Sequence, residues 1–244
     1  MNLELLNKFD TLSLIDLQNK APLMEREDKK FVLATHQINN VLVDCLKEYQ
    51  ILKIENDLFF DYKTAYYDTK DLELYQNHHN GKGNRNKIRK RLYVNSGLTF
   101  VEIKNKTNKG KTIKHRLESD TIIAAEKFIT THSGLSVADL SKKLSIEYSR
   151  ITLLHKTKLE KVTLDYNLVF KDEKSTVKYE NIVIAEVKTE KPTAIDFCLI
   201  MKKYTIREGS LSKYCLGLIS LNNKIKHNNF KQSYRQILKI NNNE

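Results

Sequence analysis

The chain of 244 residues has only two prolines, seven glycines, three cysteines and no tryptophan. Such low proline and glycine contents exclude collagen-like and proline-rich fibrous proteins. Cys45, Cys198 and Cys215 are far apart and form no C-x-x-C pair, so a structural zinc site is not expected. Cys45 and Cys198 lie among apolar residues, as reduced core thiols do, which is typical of a cytoplasmic protein.

Long hydrophobic runs are also missing. No apolar stretch approaches the roughly 18 residues of a transmembrane helix, and no signal-peptide pattern begins the sequence. We therefore expect a soluble, cytoplasmic protein without a membrane anchor of its own. Hydrophobic residues still make up 40%, which is enough for a packed core and for one domain of this length.

Basic residues are in clear excess. The 42 lysines and arginines outnumber the 30 acidic residues, and the formal net charge is +12. A field of this sign attracts polyanions, namely nucleic acid, an anionic membrane or polyphosphate. A generally basic soluble protein would have the same composition, so the positions of the charges must decide.

The charges alternate with apolar residues along several predicted strands. Lys87, Arg89 and Arg91 alternate with Ile88 and Leu92, so cations and apolar side chains point to opposite faces of one strand. Carboxylates at Asp28, Glu102, Asp165 and Glu186 share the charged faces of other strands. The further cations on such faces are Arg26, Lys30, Lys104, Lys106, Lys114, Arg116, Arg150, Lys161 and Lys188.

A sheet face that carries mainly cations lowers the stability of the fold, because like charges on neighbouring strands repel each other. An ordinary sheet with a polar, hydrated side is the alternative, but such sides usually mix charges of both signs. We therefore predict an α+β fold in which an antiparallel β-barrel forms a tunnel with a polar, basic interior and helices packed outside. Arginine forks and lysine ammonium groups suit a linear phosphate polymer as the ligand in this tunnel.

Five segments, in the same order, resemble the vacuolar transporter chaperone (VTC) domain, the polyphosphate polymerase branch of the triphosphate tunnel (CYTH-like) enzymes. The resemblance extends from about residue 24 to residue 220. The segments are Arg26-Glu-Asp-Lys-Lys-Phe31, Ala65-Tyr-Tyr-Asp-Thr69, His78-His-Asn-Gly-Lys82 with Lys87-Ile-Arg-Lys-Arg91, Val101-Glu-Ile-Lys104 with Lys109-Gly-Lys-Thr-Ile-Lys-His-Arg116, and Arg207-Glu-Gly-Ser-Leu-Ser-Lys-Tyr-Cys-Leu-Gly217.

The resemblance implies ATP as phosphoryl donor, a divalent metal (Mn²⁺ or Mg²⁺) and metal binding by Glu186. Its implied phosphate-binding residues are Lys30, Arg89, Arg91, Lys104, Lys114, Arg150, Lys161 and Lys213. Lys161 stands where the family usually has arginine, and Asp28 replaces a family glutamate. We expect Glu102 as a second metal ligand. The substrate-binding set is completed by Arg26, Arg116 and Lys188.

Three regions are predicted along the chain. Residues 1–22 form a helical segment that packs on the barrel, residues 23–221 form the tunnel domain, and residues 222–244 form a basic, asparagine-rich tail whose end frays. Within the domain, the spacing predicts helices over 36–49 and 136–144 and a polar loop over 77–86. Loop histidines His78 and His79 are not expected to bind a metal, because phosphoryl-transfer metals prefer oxygen ligands.

The resulting hypothesis is a polyphosphate polymerase that adds the γ-phosphate of ATP to a growing chain. A tunnel enzyme that hydrolyses triphosphates remains an alternative, because the same residues would serve it. A polyphosphate-binding module without turnover is a second alternative. Nucleic-acid binding is not expected, since no helix-turn-helix, zinc-finger or RNP-type motif accompanies the net charge.

Overall fold

The computed structural model describes residues 2–20, 27–189 and 195–242. Its fold combines a large antiparallel sheet with helices, as the α+β prediction requires. The strands are β1 (Asp10–Leu12), β2 (Glu27–Ala34), β3 (Tyr49–Leu52), β4 (Phe60–Asp68), β5 (Arg85–Tyr93), β6 (Thr99–Lys106), β7 (Thr112–Glu118), β8 (Ser141–His155), β9 (Glu160–Lys171), β10 (Thr176–Tyr179) and β11 (Ile182–Thr189). The α-helices are α1 (Leu3–Leu6), α2 (Leu14–Lys20), α3 (Ile38–Cys45), α4 (Glu73–His79), α5 (Glu126–Ser133), α6 (Asp196–Lys203), α7 (Lys213–Leu221) and α8 (Lys231–Asn242).

The strands pair along one path, in the order β2-β11-β9-β8-β4-β5-β6-β7. All pairs along this path are antiparallel, whereas β1 joins β3 in parallel. The end strands β2 and β7 do not pair with each other in the described part of the chain. The prediction of a barrel closed by hydrogen bonds is therefore not confirmed, and the sheet is open.

The free edge of β2 is covered by the segment that precedes α7. The backbone N–H of Gly209 donates a hydrogen bond of 2.8 Å to the carbonyl of Lys30, and Phe31 forms an isolated bridge with Glu208. These contacts occupy the edge that closure onto β7 would need. A covered edge also satisfies backbone groups that would otherwise invite pairing with other chains.

Helices cover the outer, apolar face of the sheet, as expected. β2, β9 and β11 pack their apolar side chains against helices α3 and α6 in one buried cluster. Its fully buried members include Leu33, Val162, Leu164, Val183, Ala185, Val41, Leu42, Phe197 and Met201. This core fixes the orientation of the alternating strands, so their charged residues must face the other way.

Helix α7 lies against the other face of the sheet, which contradicts a basic interior along its whole length. A Cβ atom at Gly217 would lie 2.6 Å from Phe170 and 2.8 Å from Leu144, so glycine permits this close packing on β8 and β9. Asn167 has a φ of 53° within β9, which interrupts the alternation of side chains between the two faces. Phe170 therefore packs against α7, the helix whose Lys213 also contacts Asp165. One end of the inner face is therefore apolar and filled by α7.

Two local predictions are wrong, and the C-terminal region contains a helix that was not predicted. Residues 136–144 do not form a helix, because β8 begins at Ser141 after a short 3₁₀ turn. His78 and His79 lie in helix α4 rather than in a loop. The C-terminal region carries helix α8, with Ile237 buried, up to Asn242. No helix in the described residues combines the length and the apolar character needed to cross a membrane.

Candidate anion-binding site

Strands β5, β6 and β7 align their basic residues in rows across the sheet. Lys87 lies opposite Lys104, which lies opposite Lys114. In the next row Arg89 lies opposite Glu102, and Glu102 lies opposite Arg116. The first row contains no acidic residue, so its repulsion is offset only by groups from other rows, by water or by a bound anion.

Glu102 is the central counter-ion of these rows. Its carboxylate is 1% exposed and lies 2.6 Å from Nε of Arg89, 2.5 Å from Nζ of Lys114 and 4.0 Å from Nη1 of Arg91. Burial alone would raise the pKa of Glu102, but these three cations hold it far below its usual value. Glu102 is therefore ionised and fixes the three cations in place. Burial also lowers the pKa of Lys114 to about 8, although Glu102 opposes that shift.

A second buried carboxylate, Asp165, holds Arg150 and Lys213. Nε and Nη2 of Arg150 lie 2.5 and 2.8 Å from the two carboxylate oxygens, a bidentate geometry, and Nζ of Lys213 lies 2.5 Å from one of them. Asp165 is 1% exposed. Although burial opposes both shifts, the mutual attraction lowers the pKa of Asp165 and raises that of Arg150. This triad joins β8 and β9 to the first residue of α7.

Tyrosines line the space between the two carboxylates. Tyr62 and Tyr148 stack with centroids 5.2 Å apart, and the guanidinium carbons of Arg91 and Arg150 each lie 5.2 Å from the Tyr62 ring centre. The Tyr148 hydroxyl is buried and has no hydrogen-bond partner among the described residues. Cation–π contacts of this kind hold guanidinium groups in fixed positions while leaving their N–H donors available.

Tyr66 extends this tyrosine lining toward Arg89. Nη1 of Arg89 donates a hydrogen bond of 3.1 Å to the Tyr66 hydroxyl. Burial alone would raise the pKa of Tyr66, but the charges of Arg89, Arg91 and Lys87 lower it. The phenol oxygen is therefore polarised by the same cations that surround Glu102.

Glu186 lies on β11, opposite Lys30 of β2. Its Oε1 atom lies 2.9 Å from Nζ of Lys188, and the carboxylate of Asp28 lies 3.5 Å from the same nitrogen. Burial opposes ionisation, but Lys188 and Lys30 hold the pKa of Glu186 well below its usual value. The carboxylate is thus ionised and available as an oxygen ligand.

A divalent ion fits these residues only with help from its substrate. The described residues contain no group of three or more histidine, cysteine, aspartate or glutamate side chains that could hold a metal. Glu186 and Asp28 offer carboxylate oxygens around one lysine. Mg²⁺ commonly binds one or two carboxylates and completes its shell with water and phosphate oxygens, and the number and type of these carboxylates fit that mode of binding.

The sheet curls, and this brings its two ends near each other. Lys104 on β6 is six strands from β2 along the pairing order, about 29 Å if the sheet were flat. Yet, after burial, the charge of Lys188 lowers the pKa of Lys104, and the charges of Glu186 and Asp28 oppose this shift. The short segment from Gly209 to Lys213 contacts three separate strands: Gly209 bonds to Lys30 of β2, Ser212 to Lys87 of β5 and Lys213 to Asp165 of β9, so the sheet is concave around it. Lys104 itself remains accessible to water.

We call this concave charged surface the cationic face. The Nζ of Lys87 donates a hydrogen bond of 3.0 Å to Ser212, so the start of α7 also reaches across it. We assign eleven described basic residues to this face: Lys30, Lys87, Arg89, Arg91, Lys104, Lys114, Arg116, Arg150, Lys161, Lys188 and Lys213.

The candidate residues are not equivalent in this arrangement. Arg116 is exposed, with its guanidinium carbon 3.5 Å from the centre of the Phe100 ring. Lys161 is half-buried and lies opposite Lys188 in the register of β9 and β11. Lys30 is half-buried opposite Glu186. Arg26 lies outside the described residues, so its predicted role in substrate binding stays a prediction.

A family model described as the VTC domain matches residues 25–222. The chain belongs to the VTC domain family. The resemblance seen in the five sequence segments is thereby confirmed. The comparison with curated proteins finds no match.

Two solved structures share the fold of this VTC domain. A candidate adenylyl cyclase from Hippeastrum, reported to have a dominant triphosphatase activity, is 15% identical with a TM-score of 0.54, over 83% of this chain and 98% of that chain. A candidate adenylate cyclase from Bacillus halodurans is 12% identical with a TM-score of 0.51, over 82% of this chain and 99% of that chain. At such identities the likeness shows the fold alone.

Sequence reasoning did not assign roles to three groups that this VTC domain brings into the site. Lys87 alternates with Arg89 and Arg91, so the strand pattern already placed it on the charged face. Asp165 was on that face too, but only the structure shows that it holds Arg150 and Lys213. Ser212 caps α7 and contacts Lys87, and no strand pattern could have indicated this contact.

Proposed function

We propose that this VTC domain protein is a metal-dependent polyphosphate polymerase, which transfers the γ-phosphate of ATP to a growing polyphosphate chain. The observation that carries the proposal is the excess of positive charge on the cationic face. Carboxylates of Asp28, Glu102, Asp165 and Glu186 offset only part of the charge of its basic residues. A linear polymer of phosphates supplies evenly spaced negative charges to balance the remainder.

In this reaction a terminal oxygen of the polyphosphate chain attacks the γ-phosphorus of ATP. The bond between that phosphorus and the β–γ bridging oxygen breaks, ADP leaves with the electron pair, and the chain is one unit longer. The attacking oxygen is already ionised, so no general base is needed. Catalysis then consists of alignment and charge neutralisation, which fixed cations such as Arg89, Arg91 and Arg150 provide.

A bound Mn²⁺ or Mg²⁺ would neutralise charge on the nucleotide phosphates, and Glu186 with Asp28 would hold it. The predicted second ligand, Glu102, is surrounded by three cations and serves them as a counter-ion in this arrangement. Binding by the protein therefore falls mainly to Glu186. The role of Lys188 is to place the two carboxylates near each other through its contacts of 2.9 and 3.5 Å.

The proposal is tested by the product that the protein makes. Purified protein is incubated with ATP and Mn²⁺, and the products are separated on a gel and stained for long polyphosphate. Formation of chains together with ADP supports polymerisation. Phosphate release without polymer would replace it by hydrolysis, and tight polyphosphate binding without ATP turnover would replace it by a binding role.

Hydrolysis of triphosphates is the second candidate function. It is favoured by the fold shared with the Hippeastrum protein, which is reported to have a dominant triphosphatase activity. Water would then take the place of the polyphosphate oxygen as the attacking group, and the same cations would bind the triphosphate. The gel assay separates the two functions, because only polymerisation produces long chains.

Substitution of Glu186 by glutamine is expected to raise the metal concentration needed for half-maximal turnover about ten- to one hundred-fold, since a neutral amide is a poor ligand for a hard cation. The measurement is a titration of Mn²⁺ at saturating ATP. Glu180→Gln removes the same charge from an exposed glutamate outside the site and is the control. An unchanged metal requirement in Glu186→Gln would remove Glu186 from the metal site.

Phosphate binding is expected to weaken as the pH rises above 8. Burial lowers the pKa of Lys87 to about 8, so its ammonium loses its proton near that pH in the free protein. A bound phosphate favours the charged form, so binding at pH 8.5 takes up protons and affinity falls as pH increases. Calorimetry of tripolyphosphate binding in two buffers of different ionisation enthalpy measures this uptake.

The variant Lys87→Arg is the control for this pH dependence, because arginine keeps its charge throughout the range. Its proton uptake at pH 8.5 should be smaller than that of the unmodified protein. Equal uptake in both proteins would assign the titration to another group.

A further inference from the structure

Almost the entire net charge of the protein lies in one stretch of sequence. Between Leu74 and Leu117, Glu102 is the only acidic residue, whereas the whole chain has a net charge of +12. Twelve basic residues lie in this stretch: Lys82, Arg85, Lys87, Arg89, Lys90, Arg91, Lys104, Lys106, Lys109, Lys111, Lys114 and Arg116. Part of them forms the cationic face, and the remainder extends beyond it.

The extension begins one row beyond Lys87. Arg85 lies opposite Lys106 in the register of β5 and β6, two residues from the row of Lys87 and Lys104 and therefore about 7 Å from it. The intervening pair points the other way, because Asn86 and Asn105 donate hydrogen bonds to backbone carbonyls at the end of helix α5. Arg85 and Lys106 thus continue the charged side of the sheet.

Two loops at this end of the sheet are docked against each other. A Cβ atom at Gly83 would lie 3.0 Å from Cα of Asn108, so glycine permits a close approach of the loops. The backbone N–H of Asn108 donates a hydrogen bond of 2.8 Å to the side chain of Asn84. Nη1 of Arg85 donates one of 2.8 Å to the carbonyl of Lys82. These contacts fix the loops that carry Lys82 and Lys109.

We call Lys82, Arg85, Lys106 and Lys109 the cationic platform. The three lysines are exposed, and none of the four residues forms an ion pair with any residue in 2–20, 27–189 or 195–242. Basic residues of both the platform and the cationic face lower the pKa of the same neighbouring residue, His78. Burial, followed by the charges of Lys87, Arg85 and Lys106, lowers the pKa of His78 to about 3.

We propose that the cationic platform binds the distal part of a linear polyphosphate whose near end occupies the cationic face. Four like charges that have no acidic partner among the described residues repel one another, and a polyanion that spans both surfaces relieves this repulsion. The proposal rests on polyphosphate as the ligand class of the proposed function. It adds a second binding surface, which only chains longer than the cationic face can reach.

Single-stranded nucleic acid fits the platform less well. Proteins that bind such strands combine cations with aromatic side chains on which the bases stack. The loop and strand segments of the platform, residues 80–86 and 105–111, contain no aromatic residue. The platform can therefore balance charge along a polymer but offers no stacking surface for bases.

The test compares the binding of a long polyphosphate with that of tripolyphosphate, without ATP, in the full chain. The variant Lys82→Gln/Lys106→Gln/Lys109→Gln removes three platform charges. We expect its affinity for the long chain to fall about ten-fold at an ionic strength of about 0.15 M, and the salt slope of binding to decrease by about three. Its affinity for tripolyphosphate, compared at an ionic strength of about 0.15 M, should change less than about two-fold, since charges beyond the Debye length of about 8 Å are largely screened there.

A matched control is Lys47→Gln/Lys174→Gln/Lys178→Gln, which removes three exposed charges elsewhere. It should leave both affinities unchanged. The single substitution Lys109→Glu, in an exposed turn, should reproduce the selective loss of long-chain binding with the least risk to folding.

The proposal would be overturned if the triple variant lost affinity equally for long polyphosphate and for tripolyphosphate, or if its affinity for long polyphosphate were unchanged. The proposal would also be overturned if the triple variant lost affinity only for a single-stranded DNA oligonucleotide, used as a third probe. Because this experiment measures binding alone, it remains decisive if the gel assay finds no polymer. Failure of polymerisation and failure of the platform are therefore separate results.

Discussion

Substitution of Asp165 by asparagine is expected to lower the free energy of unfolding by about 3–5 kcal/mol. The side chain keeps its size but loses its charge, so Arg150 and Lys213 remain 17% and 16% exposed without an anionic partner. Removing one member of a buried ion pair costs far more than the pair contributes, because the remaining charges are desolvated and unpaired. Chemical denaturation of the ligand-free protein measures the effect.

An added anion should restore part of this stability. Tripolyphosphate can place negative charge beside Arg150 and Lys213, so it should raise the melting temperature of Asp165→Asn more than that of the unmodified protein. A purely structural role for Asp165, unrelated to a phosphate site, would give equal increases in the two proteins. This comparison therefore reports on the site as well as on the fold.

The control for Asp165 is Glu147→Gln, which breaks another ion pair between β8 and β9. Glu147 and Lys171 lie 3.0 Å apart, but their side chains are 34% and 41% exposed. A hydrated pair of this kind contributes about 1 kcal/mol or less. A loss in Asp165→Asn as small as that of Glu147→Gln would mean that water screens the Asp165 triad as well.

Strand alternation predicted the cationic face, because the side-chain direction in a strand has a strict period of two residues. Lys87, Arg89 and Arg91 on β5 and Lys104 on β6 therefore lie where their spacing placed them. In β9 the rule holds for residues 160–166, and the positive φ at Asn167 interrupts the alternation beyond them. Asparagine adopts a positive φ more readily than most residues, so Asn167 itself was a weak local signal.

The position of α7 could not be predicted for a different reason. Its apolar residues indicate burial, but burial is equally possible on either side of a sheet. The deciding feature is Gly217, whose missing side chain permits contact with Phe170 and Leu144, residues distant in sequence. The wrong prediction of a helix over 136–144 has a local cause. Leu140 and Leu144 are four residues apart, a spacing that fits one face of a helix as well as one face of a strand, and both are buried, Leu144 within β8.

Exchange of Arg89 for methionine is expected to reduce turnover about 10²- to 10³-fold, the range for loss of one fixed group that stabilises transition-state charge. Arg89 contacts Glu102 at 2.6 Å and Tyr66 at 3.1 Å, so its guanidinium is held rigidly in the centre of the cationic face. Arg89→Lys keeps the charge but not the planar fork, and should recover only part of the activity. Steady-state rates at saturating ATP and Mn²⁺ provide the measurement.

The neighbouring residue on the same strand is the sharpest control for Arg89. Lys90 points to the opposite side, where its Nζ donates a hydrogen bond of 2.9 Å to the carbonyl of Asp120. Lys90→Met removes the same charge one residue away and should change turnover by no more than about two-fold. Equal losses in the two variants would mean that turnover responds to net charge alone, and the concave arrangement of the cations would then not be the source of activity. A large loss only at Arg89 requires that the strand present its alternate side chains to a common ligand.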